Sequence, residues 1–149
     1  MARKKSFLRK YKFDIIALLA IILFSGIYIF TNILRTMNGN ATYWSNGTII
    51  TINNIALGIS SVLIFGYVSA KILTKANKKG FDVWDTVVIL LIIISFLAYW
   101  QTNSIRAEHG MDSYWSDPWV ITINEFSDNL AGSLLMGYVI GVLINRKKN

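Results

Sequence analysis

Cysteine is absent from this chain of 149 residues, and histidine and proline each occur once, as His109 and Pro118. Without cysteine there are no disulfides, no thiol chemistry and no thiolate metal ligands. A lone histidine has no second soft ligand beside it, so we expect neither a metal site nor a cofactor. Glycine-rich phosphate loops, nucleophile-elbow serines and aspartate-rich transferase motifs are also missing. Nothing specific therefore supports an enzyme, and we expect a non-enzymatic protein.

Charge is scarce as well, at 15% of the residues, whereas hydrophobic residues make up 54%. A soluble domain of this size needs charge over its whole surface. Four apolar stretches, at about 13–34, 49–73, 84–105 and 119–144, are instead near or above the roughly 20 residues that cross about 30 Å of hydrocarbon. They are continuous and do not alternate, which favours helices over barrel strands. The sequence predicts an all-α integral membrane protein, with residues 1–149 forming one domain of four transmembrane helices.

The basic residues are distributed unevenly along this pattern. Thirteen of the fifteen Lys and Arg residues fall in the N-terminal segment, the second connection and the C-terminal segment; only Arg35 and Arg106 lie in the other two connections. Positive residues concentrate on the cytoplasmic side of membranes, which predicts a multi-pass protein of the cell membrane with both termini in the cytoplasm. The net charge of +7 then faces anionic lipid, and we expect no nucleic-acid partner.

The chain repeats itself at a spacing of 71 residues. Aligning 12–78 with 83–149 gives 20 identities in 67 positions, several of them Trp, Tyr, Asn and Arg. Each copy contains two predicted spans, so both copies enter the membrane with the same polarity. This predicts two tandem two-helix repeats related by a pseudo-two-fold axis along the membrane normal. Runs shared by the copies are Tyr43-Trp44-Ser45 with Tyr114-Trp115-Ser116, and Ile50-Thr51-Ile52-Asn53 with Ile121-Thr122-Ile123-Asn124.

A polar stripe recurs near the outer end of the first helix of each repeat. The two stripes consist of Tyr28, Thr31, Asn32 and Arg35 in the first repeat and Tyr99, Thr102, Asn103 and Arg106 in the second. At about 100° per residue, each stripe occupies an arc of roughly 100°. One interpretation is structural, with the side chains anchoring in lipid headgroups or bonding to a facing helix. The other is a ligand or ion site in the outer half of the bundle.

Two carboxylates break the repeat in the last helix. Glu125 stands where the first copy has Asn54, and Asp128 stands where it has Leu57. They lie about 9 and 13 Å beyond Trp119 along a helix, a depth at which carboxylates are costly unless paired, protonated or hydrated. We expect them on one helical face, looking toward the arginine stripes. A structural salt-bridge network and a cation or proton site reached from outside are both consistent with the pattern.

Small residues at four-residue spacing mark helix-packing faces in the last helix of each repeat, with Gly66 and Ala70 in one and Ser133, Gly137 and Gly141 in the other. The function predicted is transport or a channel-like role with an acidic outer vestibule. A homo-oligomer and a cation or proton are the partners expected beside the lipid bilayer. The alternative is an immunity, phage-exclusion or accessory subunit that binds another membrane protein.

The predicted topology is testable because the chain has no native cysteine. We expect Ser45→Cys to react with a membrane-impermeant thiol reagent on intact cells, and Lys78→Cys to react only after permeabilisation, because the two positions lie on opposite sides of the membrane. Labelling of the Lys78→Cys protein on intact cells would contradict the topology.

Overall fold

A computed structural model describes residues 11–37, 47–74, 81–108 and 117–147, apart from the side chains of residues 35, 36, 106, 146 and 147. The described chain forms four helices, which we number α1 (Lys12–Met37), α2 (Gly47–Thr74), α3 (Val83–Glu108) and α4 (Pro118–Lys147). All four are long and apolar enough to cross a membrane. The predicted all-helical fold with four candidate spans is therefore confirmed, and it indicates a multi-pass membrane protein.

Side-chain contacts fix the directions of the helices. In α1 and α2, Asp14 meets Lys71 at one end while Thr31 meets Asn53 toward the other, so these helices are antiparallel. The α3 and α4 helices are antiparallel as well, because Thr102 contacts Asn124 toward one end and Val88 packs in one cluster with Leu134 toward the other. We call the end at which α1 begins and α4 ends the basic end, and the opposite end, where Glu108 is exposed, the acidic end.

Helices α2 and α4 run parallel and form the central pair of the bundle. The Ser69 hydroxyl of α2 donates a hydrogen bond of 3.0 Å to the backbone carbonyl of Gly137 in α4. A Cβ at Gly137 would lie 2.8 Å from the Phe65 carbonyl oxygen, and one at Gly141 would lie 2.8 Å from the Ile72 Cβ. Glycine at these positions is what allows the two backbones to approach so closely.

Helices α1 and α3 lie on either side of the central pair. Among the described residues they have no Cα atoms within 8 Å, although both pack on α2 and α4. The buried apolar cluster lies in the basic half of the bundle and joins α2, α3 and α4; its members are Ile64, Val68, Ile72, Val88, Ile92 and Leu134. Large apolar side chains such as Ile22 and Phe30 remain mostly exposed, as suits helices surrounded by hydrocarbon.

Aspartates lie at the basic ends of the two flanking helices and form hydrogen bonds or ion pairs there. In α3, Asp82 accepts hydrogen bonds from the backbone N–H groups of Trp84 and Asp85, while the Asp85 carboxylate accepts from the N–H of Asp82. This reciprocal arrangement caps the helix. In α1, Asp14 forms a 2.7 Å ion pair with Lys71 of α2, so its main visible role is to join two helices.

The two small-residue faces have different surroundings. Gly137 and Gly141 are buried against α2, so the packing predicted for this face of α4 is found within the chain. The corresponding pair of α2, Gly66 and Ala70, is exposed, and a Cβ at Gly66 would meet nothing within 4 Å. Positions that align in the sequence therefore differ in burial and packing at the basic end.

This difference provides a matched pair of substitutions. We expect Gly137→Ala to lower the free energy of unfolding in detergent by about 1–3 kcal/mol, because the added methyl group forces the α2 and α4 backbones apart. Gly66→Ala adds the same group in open space, and the better helix propensity of alanine should leave stability equal or slightly higher. Equal losses at both positions, measured by reversible denaturation, would contradict the close α2–α4 contact.

Candidate functional site

The candidate site is a layer of polar side chains in the acidic half of the bundle. Its first element joins α1 to α2. The side-chain amide of Asn53 donates to the Thr31 hydroxyl at 2.8 Å and to the Tyr28 carbonyl at 3.2 Å. Thr31 is bonded in turn to the carbonyl of Ile27, four residues back in its own helix, at 2.8 Å. A polar chain from amide to hydroxyl to backbone thus crosses between the helices, with all its members buried or half-buried.

The second element joins α3 to α4 with the same residue types at the same spacing. Asn124 donates to the Thr102 hydroxyl at 2.8 Å and to the Tyr99 carbonyl at 3.4 Å. Thr102 is bonded to the carbonyl of Ala98 at 2.8 Å. The α1–α2 pair and the α3–α4 pair are therefore each held together by an Asn–Thr hydrogen bond buried in an apolar bundle.

A third Asn–Thr bond joins α1 to α4. Asn32, which is fully buried, donates to the Thr122 hydroxyl at 3.3 Å, and Thr122 is bonded to the Pro118 carbonyl at 2.8 Å. The repeat would place Asn103 opposite Thr51 in the same way. Instead, Asn103 donates to the Tyr99 carbonyl of its own helix at 3.0 Å, and Thr51 is exposed. This fourth bond is not formed.

Glu125 accounts for the extra contact between α1 and α4. The Tyr28 hydroxyl donates to the Glu125 carboxylate at 3.3 Å, and the Tyr28 ring stacks on Phe126 with centroids 6.2 Å apart. The equivalent positions of α2 are Asn54 and Ile55, which offer Tyr99 neither a carboxylate nor a ring. Glu125 and Phe126 are therefore the residues of α4 against which the fully buried Tyr28 packs.

Asp128 lies elsewhere on the helix surface. Glu125 is half-buried, whereas Asp128, less than one turn further along α4, is exposed. In the described part of the chain, the structure joins Asp128 to no ion pair and no hydrogen bond. It lies about 13 Å beyond Trp119 along the helix, which is near the middle of a hydrocarbon layer about 30 Å thick.

The predicted site residues are thus brought together only in part. Tyr28, Thr31, Asn32 and Glu125 belong to one connected layer, and Thr102 belongs to its counterpart. Tyr99 and Asn103 are half-buried and line a shallow groove on the surface of α3 with Trp100. Asp128 faces outward. The side chains of Arg35 and Arg106, predicted to sit beside these groups, lie outside the described residues, as does His109.

One partner of each of these three bonds was not among the site residues predicted from the sequence. Asn53, Asn124 and Thr122 were visible only as part of the repeated Ile-Thr-Ile-Asn run. Their recurrence at one spacing was the signal that identifies them, because a polar residue retained inside an apolar helix needs a partner on a neighbouring helix.

Chemically, the layer offers amides, hydroxyls and one carboxylate, all suited to binding and none activated as a nucleophile. No group of three potential metal-ligating side chains occurs among the described residues. The exposed acidic residues at this end, Glu108 and Asp117, add negative charge. Oxygen ligands and negative charge favour a hard cation or a proton over an anion.

Comparison with known proteins adds no identification: no protein-family model, no curated protein and no solved structure matches the chain. The class that the fold defines is a small four-helix multi-pass membrane protein. Its function has to be argued from the geometry of its polar groups.

Proposed function

We propose that this protein is a non-enzymatic membrane protein that assembles into an oligomer and conducts a cation or a proton past the carboxylates of α4. The observation that supports it most strongly is the exposure of Asp128 at mid-membrane depth. An ionised carboxylate facing hydrocarbon costs several kcal/mol. Contact with water in a pore, or with another protein, removes that cost.

The position of Glu125 supports a path along α4. It lies about 5 Å closer to the acidic end than Asp128, since three residues of helix rise about 4.5 Å. The two carboxylates lie at successive depths, so a cation that enters from the acidic end can bind first at Glu125 and then at Asp128. Because Glu125 accepts a bond from Tyr28, its position is fixed by the polar layer.

An oligomer is part of the proposal because the polar layer within one chain is packed. Thr31, Asn32, Asn53, Thr122 and Asn124 are buried and bonded to each other or to backbone. Their role is to join helices, so the hydrated surface has to come from exposed groups such as Asp128.

The finer features predicted from the sequence belong to the same proposal. In it, the chain arose by duplication of a two-helix unit, the pseudo-two-fold axis runs between α2 and α4, and the basic end faces the cytoplasm of a cell-membrane protein. The matching Asn53–Thr31 and Asn124–Thr102 bonds support the duplication. The absent Asn103–Thr51 bond and the exposed Gly66 are departures from strict symmetry.

A second candidate function follows from the same exposed carboxylate. An accessory or immunity subunit would pair Asp128 with a basic group in a helix of another membrane protein, and the packed polar layer would serve only to hold the bundle rigid. The dense hydrogen bonding of that layer favours this reading. The two functions differ in whether the purified protein alone carries ions.

Flux measurements in liposomes containing only this protein test the proposal. We expect proton or cation flux that falls at least about tenfold in Asp128→Asn and Glu125→Gln, because each change removes a negative charge from the path. Glu108→Gln is the matched control: it makes the same chemical change at the exposed end of α3 and should keep most of the flux.

Thermal stability distinguishes a cation-binding role of Glu125 from a purely structural one. If Glu125 mainly holds α1, Glu125→Gln should lower stability by about 1–3 kcal/mol whatever cation is present. If it binds a cation, the parent should be stabilised by that cation and Glu125→Gln should not be. A parent protein without flux and without cation-dependent stabilisation would overturn the conducting function and leave the accessory role.

A further inference from the structure

In the acidic half of the bundle, the side formed by α2 and α3, which we call the α2–α3 face, carries two amides with unused hydrogen-bonding capacity. Asn54 of α2 is exposed, and its side chain forms no hydrogen bond within the described part of the chain. Asn103 of α3 bonds only to the Tyr99 carbonyl of its own helix among the described residues, so a second amide hydrogen and the amide oxygen are unused. Amides in this state are costly beside hydrocarbon, and a partner on another helix removes that cost.

The aligned positions of α1 and α4 do find partners in this half of the bundle. Asn32, which aligns with Asn103, donates a hydrogen bond from α1 to α4. Glu125, which aligns with Asn54, accepts a hydrogen bond from α1. Polar contacts therefore close the α1–α4 side within one chain, whereas the aligned amides of the α2–α3 face do not bond to each other.

The surfaces around the two amides match in length and depth. On α3, a shallow groove beside Trp100 runs from Ile93 to Asn103, which is about 15 Å of helix. On α2, exposed residues on one side of the helix form a ridge of about 16 Å, which consists of Thr51, Asn54, Gly58 and Val62. Asn54 lies seven residues from the acidic end of α2, and Asn103 lies five residues from the acidic end of α3. The two amides are therefore within about one helical turn of the same depth.

We propose that a second copy of this chain covers the α2–α3 face, with the α2 ridge of each protomer in the α3 groove of the other and each Asn103 amide paired with the partner's Asn54. A two-fold axis along the membrane normal keeps every group at its own depth, so a chain that carries both the ridge and the groove completes both contacts at once. Because the ridge, the groove and the two amides all belong to one chain, the face is complementary to itself. The inference rests on the oligomer of the proposed function and names one of its interfaces, on helices other than the α4 that carries the carboxylates.

Cross-linking between two differently tagged chains tests the interface, because the native chain has no cysteine. Phe96 of the groove and Val62 of the ridge are exposed, and they lie seven and eight residues from the amides of their own helices. We expect Phe96→Cys chains and Val62→Cys chains to form a mixed disulfide dimer in the membrane. Ile94→Cys is the matched control: Ile94 is also apolar and exposed, but it lies about 200° around α3 from Phe96 and should form little mixed dimer with Val62→Cys.

Replacing the amides tests the bond between the protomers. Asn54→Leu and Asn103→Leu should each lower the dimer affinity in bilayers by about 3- to 10-fold, because each removes both copies of one interhelical hydrogen bond. Gln101→Leu makes the same change to an exposed amide outside the interface and should leave the affinity unchanged. Energy transfer between fluorescently labelled chains measures the affinity. In the described residues neither Asn54 nor Asn103 bonds to another helix of its own chain, so we expect these variants to fold.

The outcomes distinguish a failure of this interface from a failure of the proposed conduction. A protein that stays monomeric in bilayers, or whose Val62→Cys chain cross-links to Ile94→Cys as readily as to Phe96→Cys, overturns the interface even if it carries ions. A dimer affinity that is the same in the parent, Asn54→Leu and Asn103→Leu also overturns it. A dimer that cross-links through Phe96 and carries no ions supports the interface and contradicts only the conduction.

Discussion

The bundle depends on hydrogen bonds between an asparagine amide and a threonine hydroxyl inside an apolar helix pair. The lipid around the helices is as apolar as their side chains, so the burial of apolar surface contributes little free energy to helix association. An amide left in hydrocarbon without a partner is costly. Asn53 and Asn124 meet this constraint in one way, each donating to a threonine 22 residues earlier in the chain. These bonds fix the register of α1 on α2 and of α3 on α4, which places every other polar group.

Two further features build the four-helix bundle from these helix pairs. At the basic end, Gly137 and Gly141 bring α4 against α2 closely enough for the Ser69 hydroxyl to bond to a backbone carbonyl. At the acidic end, Glu125 and Phe126 draw Tyr28 of α1 toward α4. Helix α2 has neither a carboxylate nor a ring at the aligned positions. Helix α3 therefore lies further from α2, and Asn103 does not bond to Thr51. The asymmetry of the bundle thus follows from a few of the positions at which its two halves differ, and one of them is Glu125, a carboxylate of the proposed ion path.

Hydropathy was sufficient to predict the helices, whose observed ends lie within three residues of the predicted stretches. Hydropathy does not predict which helices are central, because that depends on whether the small-residue face of α2 or that of α4 packs against a neighbouring helix. Gly66 and Gly137 occupy the same place in the repeat, yet one is exposed and the other is packed against a backbone. Helical phase predicts that Glu125 and Asp128 lie on one face. In the structure Glu125 contacts α1, whereas Asp128 lies beyond this contact and is exposed.

A double-mutant cycle in bilayers tests the central role of the Asn–Thr bonds most directly. For Asn53→Ala combined with Thr31→Val, and for Asn124→Ala combined with Thr102→Val, the account predicts coupling free energies near 0.6 kcal/mol and up to about 1.7 kcal/mol. The pair Asn103→Ala and Thr51→Val is the matched control, because these side chains do not meet, and its coupling should be close to zero. Coupling near zero in both repeats, or equally large coupling in the control pair, would contradict the account.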